Sequence, residues 1–316
     1  MEGKEALTPL EVANILKISK NTVYELAKRG EINSYRVGNK LRIDVNDVED
    51  YKNRAKKGSN FTDSNTLSLE SGKVKKNNGF VICGQDIILD ILSRYLQSQG
   101  IQALRSYEGS YNGLYALYND NVHIATSHLW DGETGQYNIP YVKRMLPGVP
   151  AIIIHLTKRM QGFYVLKGNP KKIYGWQDLK RLDISVVNRE KGSGTRVLLD
   201  EYLKKMGINP YSLSGYEREC TSHLGVASTV SRGEADFGLG DEKAGYQIKG
   251  VDFIPLQLEN YDLVIKKEDI DKPNFKAVIQ VLLSKEFKQE IEGIGGYNLD
   301  NLGEVVADTG FKVKDY

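Results

Sequence analysis

Cysteine is nearly absent from this 316-residue chain: Cys83 and Cys220 are the only two, with no paired spacing. That excludes a disulfide framework and a cysteine-based zinc motif. Long apolar runs are missing too, and no stretch approaches the ~18 residues that a membrane helix needs. The opening MEGKEALTPLEV is charged and has no apolar h-region. Nothing there marks export, so a cytoplasmic location without membrane contact is expected. Neither charge sign dominates: 43 basic against 41 acidic residues leave +2. A uniformly basic nucleic-acid coat is excluded, while a local basic face is not. Catalytic signatures are lacking as well, with no GxxxxGK[ST] loop, no GxSxG elbow and no HExxH. His123 and His128 lie five apart and His155 is isolated. A non-enzyme with no metal and no cofactor is therefore expected. What is present is an ordinary globular composition, 40% hydrophobic and 27% charged, and enough chain for two or three domains.

Residues 58–78, GSNFTDSNTLSLESGKVKKNN, show no helical or strand period and are rich in Ser, Asn, Gly and Lys. They read as a linker. Residues 1–57 carry +3 and the remainder −1, so the small domain holds the positive excess. Within it, Thr8 caps a helix that starts at Pro9, with Glu11 completing a capping box. Val12, Ala13, Ile15 and Leu16 give that helix an apolar face of about two turns. Ser19 starts a second helix, Lys20–Arg29, with Val23, Leu26 and Ala27 inward and Gly30 as its stop. A tight turn between two short helices is the helix-turn-helix arrangement. Ser34–Val37, Gly38-Asn39-Lys40 and Leu41–Ile43 then read as a hairpin with alternating cations, and Val45–Arg54 as a third helix.

This order, carried by LTPLEVANILKISKNTVYELAKRGEINSYRVGNKLRI, resembles the excisionase-type or MerR-like winged helix-turn-helix family over residues 7–55. The resemblance implies that Ser19, Lys20, Asn21, Thr22, Tyr24 and Lys28 lie on the exposed face of a recognition helix reaching base edges or phosphates. It places Arg36, Lys40 and Arg42 on a wing against phosphate or the minor groove. Double-stranded DNA is the implied partner. A homodimer or higher oligomer is expected, because one short recognition helix covers too little DNA for a specific site.

Residues 79–316 hold a faint repeat: Gly113–Leu117 followed by Val122–Ala125, and Gly225–Thr229 followed by Ala235–Gly238. Each reads as a helix running into a buried strand, and two such units suggest two similar α/β lobes. Loops rich in Gly, Ser or Thr recur where strands feed helices. The strand Phe80–Cys83 leads to Gly84-Gln85-Asp86, and Tyr107-Glu108-Gly109-Ser110 precedes a helix. The strand Ile184–Val187 leads to Asn188–Arg196, and Glu219–His223 precedes another helix. There N–H groups and hydroxyls are free and the helix dipole favours an anion. In the loop Lys191–Arg196, Gly192, Ser193, Gly194 and Thr195 read as an anion nest, with Arg189 or Arg196 adding charge. Tyr107, Tyr111, Tyr115 and Tyr118 cluster near one loop; their helical spacing favours core packing, with the alternative that one of them lines the cleft.

NREKGSGTRVLLDEYL, EGSYNGLYAL, SHLWDGETGQYN and SHLGVASTVSRGEADFGLG together resemble the cytoplasmic periplasmic-binding-protein-like domains related to molybdate- and tungstate-binding proteins. The resemblance spans most of residues 79–300, including a single late helix Phe275–Ile291. It implies an α/β class with a type II fold of two lobes, about 79–157 with 258–316 and about 158–257, around a ligand cleft. Its ligand loops fall on Gly84, Gln85 and Asp86, on Gly109 and Ser110, on Gly192 to Arg196, and on Thr221 to His223. Molybdate or tungstate is the implied effector. Asp86 departs from the pattern, since a carboxylate facing a dianion is unfavourable; it points away, caps a helix, or the ligand is another one. The whole then reads as a ligand-responsive, one-component transcriptional regulator. The rivals are a molybdenum-cofactor-related enzyme, a sensor of a small organic anion, an architectural excisionase-type protein, and a transport receptor, which would need an export signal.

Overall fold

The computed structural model describes residues 6–28, 32–38, 40–56 and 79–310. The chain divides into two compact units, Met1–Val74 and Lys75–Tyr316. The segment 58–78, read as a linker, lies outside the described residues, as does Gly30.

In the first unit, β1 (Ala6–Leu7) leads into α1 (Pro9–Leu16), α2 (Lys20–Lys28), β2 (Tyr35–Val37), β3 (Lys40–Asp44) and α3 (Val45–Lys56). The capping box forms as its residues dictate: the Thr8 N–H donates to Glu11 Oε2 at 2.6 Å and the Glu11 N–H to Thr8 Oγ1 at 3.4 Å. Lys17 takes a left-handed conformation (φ 54°) and ends α1. The Ser19 hydroxyl accepts the Thr22 N–H and opens α2. Val12, Ala13, Val23, Leu26, Ile32, Ile43 and Val48 close one small core. The hairpin pairs Val37 with Lys40 across a turn in which Gly38 has φ 60°, the sign that favours glycine. Beyond the expected hairpin, Ala6 and Leu7 pair with β3 to make a three-stranded sheet, β1-β3-β2.

The second unit runs β4 (Phe80–Cys83), α4 (Ile87–Ser98), β5 (Ala103–Ser106), α5 (Ser110–Tyr118), β6 (Ile124–Ser127), α6 (Ile139–Met145) and β7 (Ala151–Leu166). It continues with β8 (Val186–Arg189), α7 (Gly194–Lys205), β9 (Glu219–Cys220), α8 (His223–Ser231), β10 (Phe237–Asp241), α9 (Glu242–Gln247) and β11 (Val251–Lys266). The helices α10 (Pro273–Leu283) and α11 (Lys285–Ile294) and the strand β12 (Val305–Asp308) complete it. The strands join in the order β5-β4-β6-β11-β7-β10-β8-β9, with β12 on β7. The 16-residue strands β7 and β11 pair antiparallel along their length, with register shifts between Pro255 and Gln257 and between Tyr261 and Asp262. One half of this ribbon carries β4, β5, β6 and β12, and the other half carries β8, β9 and β10.

Each half has helices on both faces, because each face of its sheet is apolar. In one half, α4, α10 and α11 cover Ile82, Ile124 and Leu263, and α5 and α6 cover Cys83, Ala125 and Ile153. In the other, α7 covers Phe163, Val186 and Leu239, and α8 and α9 cover Tyr164 and Val187. The two copies of the sequence repeat become α5–β6 and α8–β10.

Three expectations are corrected here. The late helix breaks in two at Ser284, whose extended backbone ends α10 and whose hydroxyl accepts the Phe287 N–H to cap α11. The strand expected at 184–187 sits two residues later, with Ser185 only bridging to Ser214. Tyr107, Tyr111, Tyr115 and Tyr118 are exposed rather than packed in the core. The inward stripe of α5 is already filled by Ser110, Gly113, Leu114 and Leu117, so Tyr111, Tyr115 and Tyr118 fall on the exposed flank beside it. Among the described residues no helix is long and apolar enough to cross a membrane.

Candidate functional site

Where the β7–β11 ribbon passes between the two lobes, a cavity of about 560 Å³ opens, walled by both. Its floor is charged. Arg159, on β7, is buried between two carboxylates, Asp86 and Glu259, and its guanidinium stacks 4.1 Å over the Tyr261 ring. Burial disfavours the charged guanidinium, but Glu259 and Asp86 outweigh it and hold Arg159 firmly ionised. Glu259 also meets His128 Nδ1 at 2.7 Å. Asp86 is fully engaged by the groups around it. Its Oδ1 accepts the Ile88 N–H, capping α4, and the Tyr297 hydroxyl at 2.7 Å, while Oδ2 faces Arg159. The capping alternative left open by the sequence is the one the backbone adopts.

Helix N-termini from both lobes converge on this wall. Gly109 starts α5 with no side-chain cap, and Ser193 caps α7 by accepting the Arg196 N–H. The two residues touch: a Cβ at Gly109 would sit 3.2 Å from Ser193 Cα. Next to them the Tyr111 N–H donates to the Gly192 carbonyl at 3.0 Å. Arg189 crosses the cleft as well, donating to Gln85 Oε1 at 2.8 Å while it holds the Glu190 carboxylate and the Thr221 carbonyl. Ser110 Oγ accepts the His128 N–H at 3.2 Å. Each of these two serine hydroxyls thus accepts one N–H and keeps its own proton to donate.

Of the ligand residues expected from sequence, Gln85, Gly109, Ser110, Arg189, Ser193, Thr221 and His223 line the cavity. Gly84 does not; its φ of 150° and the 2.1 Å that would separate a Cβ from Thr126 Oγ1 make it the buried turn after β4. Gly192 supplies the carbonyl to Tyr111, and Gly194 packs against the His128 ring. Thr195 is buried away from the wall. Arg196 is a correction: it points to the opposite side of α7, pairs with Asp200 and Glu219, and stacks 4.2 Å from Tyr216 in a separate cavity of about 370 Å³.

Sequence reasoning missed Arg159, His128, Asp241, Lys243, Tyr261 and Tyr297, all in the wall. His223 Nε2 lies 3.4 Å from Asp241 Oδ2, and burial followed by the nearby Arg189 and Arg159 pushes its pKa well down, leaving a neutral ring. Its Nδ1 and the Lys243 Nζ are buried without a hydrogen-bond partner among the described residues. Lys243 Nζ rests 4.7 Å from the Tyr297 ring centroid.

On the first unit, Ser19, Lys20, Asn21, Thr22 and Tyr24 share the exposed side of α2's start, and Lys20 Nζ lies 6.0 Å over the Tyr24 ring. Lys40 is exposed on the hairpin, and Arg42 is half-buried, its Nη1 donating to the Leu41 carbonyl. The side chains of Lys28 and Arg36 lie outside the described residues.

A two-lobed α/β unit hinged on a long antiparallel ribbon, with helix N-termini around an interlobe cavity, is the architecture of a periplasmic-binding-protein-like ligand domain. The chain belongs to that superfamily: the PBP superfamily domain matches residues 93–283, and a helix-turn-helix domain matches residues 6–56. It is 43% identical to the Bacillus subtilis protein YvgK over 98% of this chain and all of that one. Among solved structures it is similar to a phosphate transporter substrate-binding protein from Clostridium perfringens with bound phosphate (TM-score 0.51, 17% identity, 70% of this chain and 99% of that one). It is also similar to an ancestral amino acid-binding protein, a precursor of cyclohexadienyl dehydratase (TM-score 0.51, 16% identity, 69% and 96%). At such identities the likeness is one of fold. The combination is that of a DNA-binding regulator with a ligand-binding domain.

Proposed function

We propose that this chain is a cytoplasmic, non-enzymatic, one-component transcriptional regulator whose interlobe cavity binds a small anion, molybdate or tungstate, and whose helix-turn-helix unit binds operator DNA as a homodimer. One observation carries the anion reading: the starts of α5 and α7, from opposite lobes, touch at Gly109 and Ser193 on the cavity wall. Two helix dipoles and two serine hydroxyls favour negative charge there. The same contact supports a mechanism. An anion held by both starts stabilises the closed lobes over open ones, and the energy available for switching is its differential affinity for the two states.

A second reading, a small organic anion, is favoured by size. At about 30 Å³ per water, a tetrahedral oxyanion leaves most of the 560 Å³ to solvent. Lys243 Nζ and His223 Nδ1, without partners, add an acceptor-seeking and a donor-seeking group that a larger ligand would satisfy. Calorimetry of the full chain against molybdate, tungstate, sulfate and a panel of small organic acids, repeated with operator DNA present, tests both. Tight molybdate or tungstate binding that shifts DNA affinity supports the first. Binding of an organic acid alone supports the second, and a shift in neither assay removes the regulatory reading.

A further inference from the structure

We propose that the ligand of the interlobe cavity is an organic acid with a single carboxylate and an apolar body. This rests on the organic-anion reading above and names the class of acid. Two side chains carry it. Ile87 is the first residue of α4 and Leu224 the second of α8. They come from opposite lobes, line the same cavity, and are 48% and 43% exposed. A helix start favours acidic or small polar residues, and among the described residues neither side chain packs into the core of its lobe. Single exposed aliphatics are ordinary on a surface. Two that line one cavity from both sides form an apolar wall, and Met160 of β7 joins them there. The hydroxyls of Tyr261 and Tyr297 are engaged by Thr126 and Asp86, so these rings extend the apolar wall instead of offering hydrogen bonds.

The apolar pair adjoins the anion wall. Arg189 Nη2 donates to Gln85 Oε1, two residues before Ile87, and to the Thr221 carbonyl, three before Leu224. A carboxylate at the starts of α5 and α7 therefore has its hydrocarbon part directed between Ile87 and Leu224. Charge limits the ligand to one such group. The wall carries the acids Asp86, Glu108, Asp241 and Glu242 against Arg159, Arg189 and Lys243, one more acid than base. Behind it Glu259 and Glu190 face Arg159 and Arg189, His128 lies on Glu259, and His223 is neutral. A second negative charge on the ligand meets that excess, so a monoanion is favoured over a dianion. The cavity, about 560 Å³, lies in the ~300–1,000 Å³ range of small-molecule sites, which join an apolar lining to a few fixed polar groups.

The experiment is a ligand-observed NMR titration of the full chain with acetate, butyrate and hexanoate, three acids of equal charge. Each methylene taken out of water should tighten binding about fourfold. Hexanoate should therefore bind at least about tenfold more tightly than acetate, even with only half of its added methylenes covered. Ile87→Ser and Leu224→Ser should each lower the hexanoate-to-acetate ratio at least about threefold, the loss of roughly one covered methylene. Both positions are about half exposed, and thermal melts serve as the folding control. Ser193→Gly should weaken all three acids by a common factor, because it acts on the carboxylate. Equal affinities for the three acids in wild type, or an unchanged ratio in either serine variant, overturns the apolar body and leaves the organic-anion reading to the wider panel of acids. No binding by any of the three overturns it as well. Tight molybdate or tungstate binding by a chain that takes up no organic acid of either set removes the organic-anion reading itself, so the two failures are separate outcomes.

Discussion

The indole of Trp130 lies flat on the ring of Tyr202, with centroids 4.6 Å apart and planes 8° from parallel. Trp176 also stacks on the same tyrosine, at 3.7 Å. Trp130 follows β6 of the first lobe, yet its side chain belongs to the core of the second, with Phe163, Leu198 and Leu199. Around it the Gly132 N–H donates to Glu201 Oε2, and Lys204 pairs with Glu133 at 2.9 Å. The lobes are therefore joined by this strap as well as by β7 and β11.

Trp130→Ala should remove a buried aromatic from the strap and cost about 3–5 kcal/mol. For a unit of this size that is a fall in melting temperature of at least about 6 °C. The same variant should widen the range of interlobe distances, read by spin labels placed on α4 and α7. An unchanged melt would show that the strap merely rests on the second lobe.

Glu259 makes stability depend on acid. Burial raises the cost of its charge, but Arg159, then His128, pull the other way harder, and its carboxyl is lowered from 4.5 to about 2. A folded-state value below the unfolded one stabilises wherever the group is ionised in both states, so the contribution is complete above pH ~4.5. It is lost as pH falls toward 2 and amounts to about 3 kcal/mol. Urea unfolding of wild type from pH 7 to 2.5 should show that loss, and Glu259→Gln should flatten it. At pH 7 the variant should also be less stable by about 3–5 kcal/mol, because Arg159 loses a partner in a buried site. Equal pH slopes in the two proteins would assign the acid sensitivity to other carboxylates.

Local signals explain how much of this was legible in the sequence. The capping box at Thr8 and Glu11 and the glycine turn at Gly38 are decided within four residues, so the winged helix could be read element by element. The starts of α5 and α7 were marked by Gly109 and Ser193 for the same reason. The ribbon was not legible. In β7, AIIIHLTKRMQGFYVL, nearly every residue is buried on both faces, so no alternation with period 2 appears, and the polar Thr157, Lys158, Arg159 and Gln161 interrupt the apolar run like a loop. Those polar residues are in a strand because the cleft is there. Arg159 was invisible because its partners, Asp86 and Glu259, are 73 and 100 residues away in the chain. Arg196 misled because it adjoins the glycine loop in sequence while α7 turns it to the far side.

The wing prediction concerns salt. Lys40 and Arg42 lie on the hairpin strand opposite Arg36, with Tyr35 paired to Arg42 and Val37 to Lys40. If they contact phosphates, Arg36→Ala, Lys40→Ala and Arg42→Ala together should weaken operator binding. The slope of log affinity against log salt should drop by about 0.9 for each phosphate that is no longer neutralised. Mobility-shift titrations at several salt concentrations read both numbers, and an unaltered slope would take the wing off the DNA.

Ser193 and Ser110 test the cavity, and the structure changes what Ser193→Ala should do. Because its hydroxyl caps α7 through the Arg196 N–H at 3.2 Å, alanine should cost about 1 kcal/mol of stability besides any loss of ligand. Ser193→Gly keeps most of the cap and is the cleaner variant. If an oxyanion sits between the starts of α5 and α7, each hydroxyl gives it a hydrogen bond to a charged acceptor, about 1.5–3 kcal/mol, so losing one should weaken binding tenfold or more. Ser110 Oγ accepts the His128 N–H, so Ser110→Ala leaves that amide unsatisfied and should lower the melting temperature slightly as well. Calorimetry with molybdate and tungstate on Ser193→Gly and Ser110→Ala, with thermal melts as the folding control, separates the two effects. Tenfold losses in both variants place the anion between the lobes. Loss in Ser193→Gly alone would confine it to the second lobe and remove its grip on closure, and wild-type affinity in both would move the ligand to the Lys243 end of the cavity.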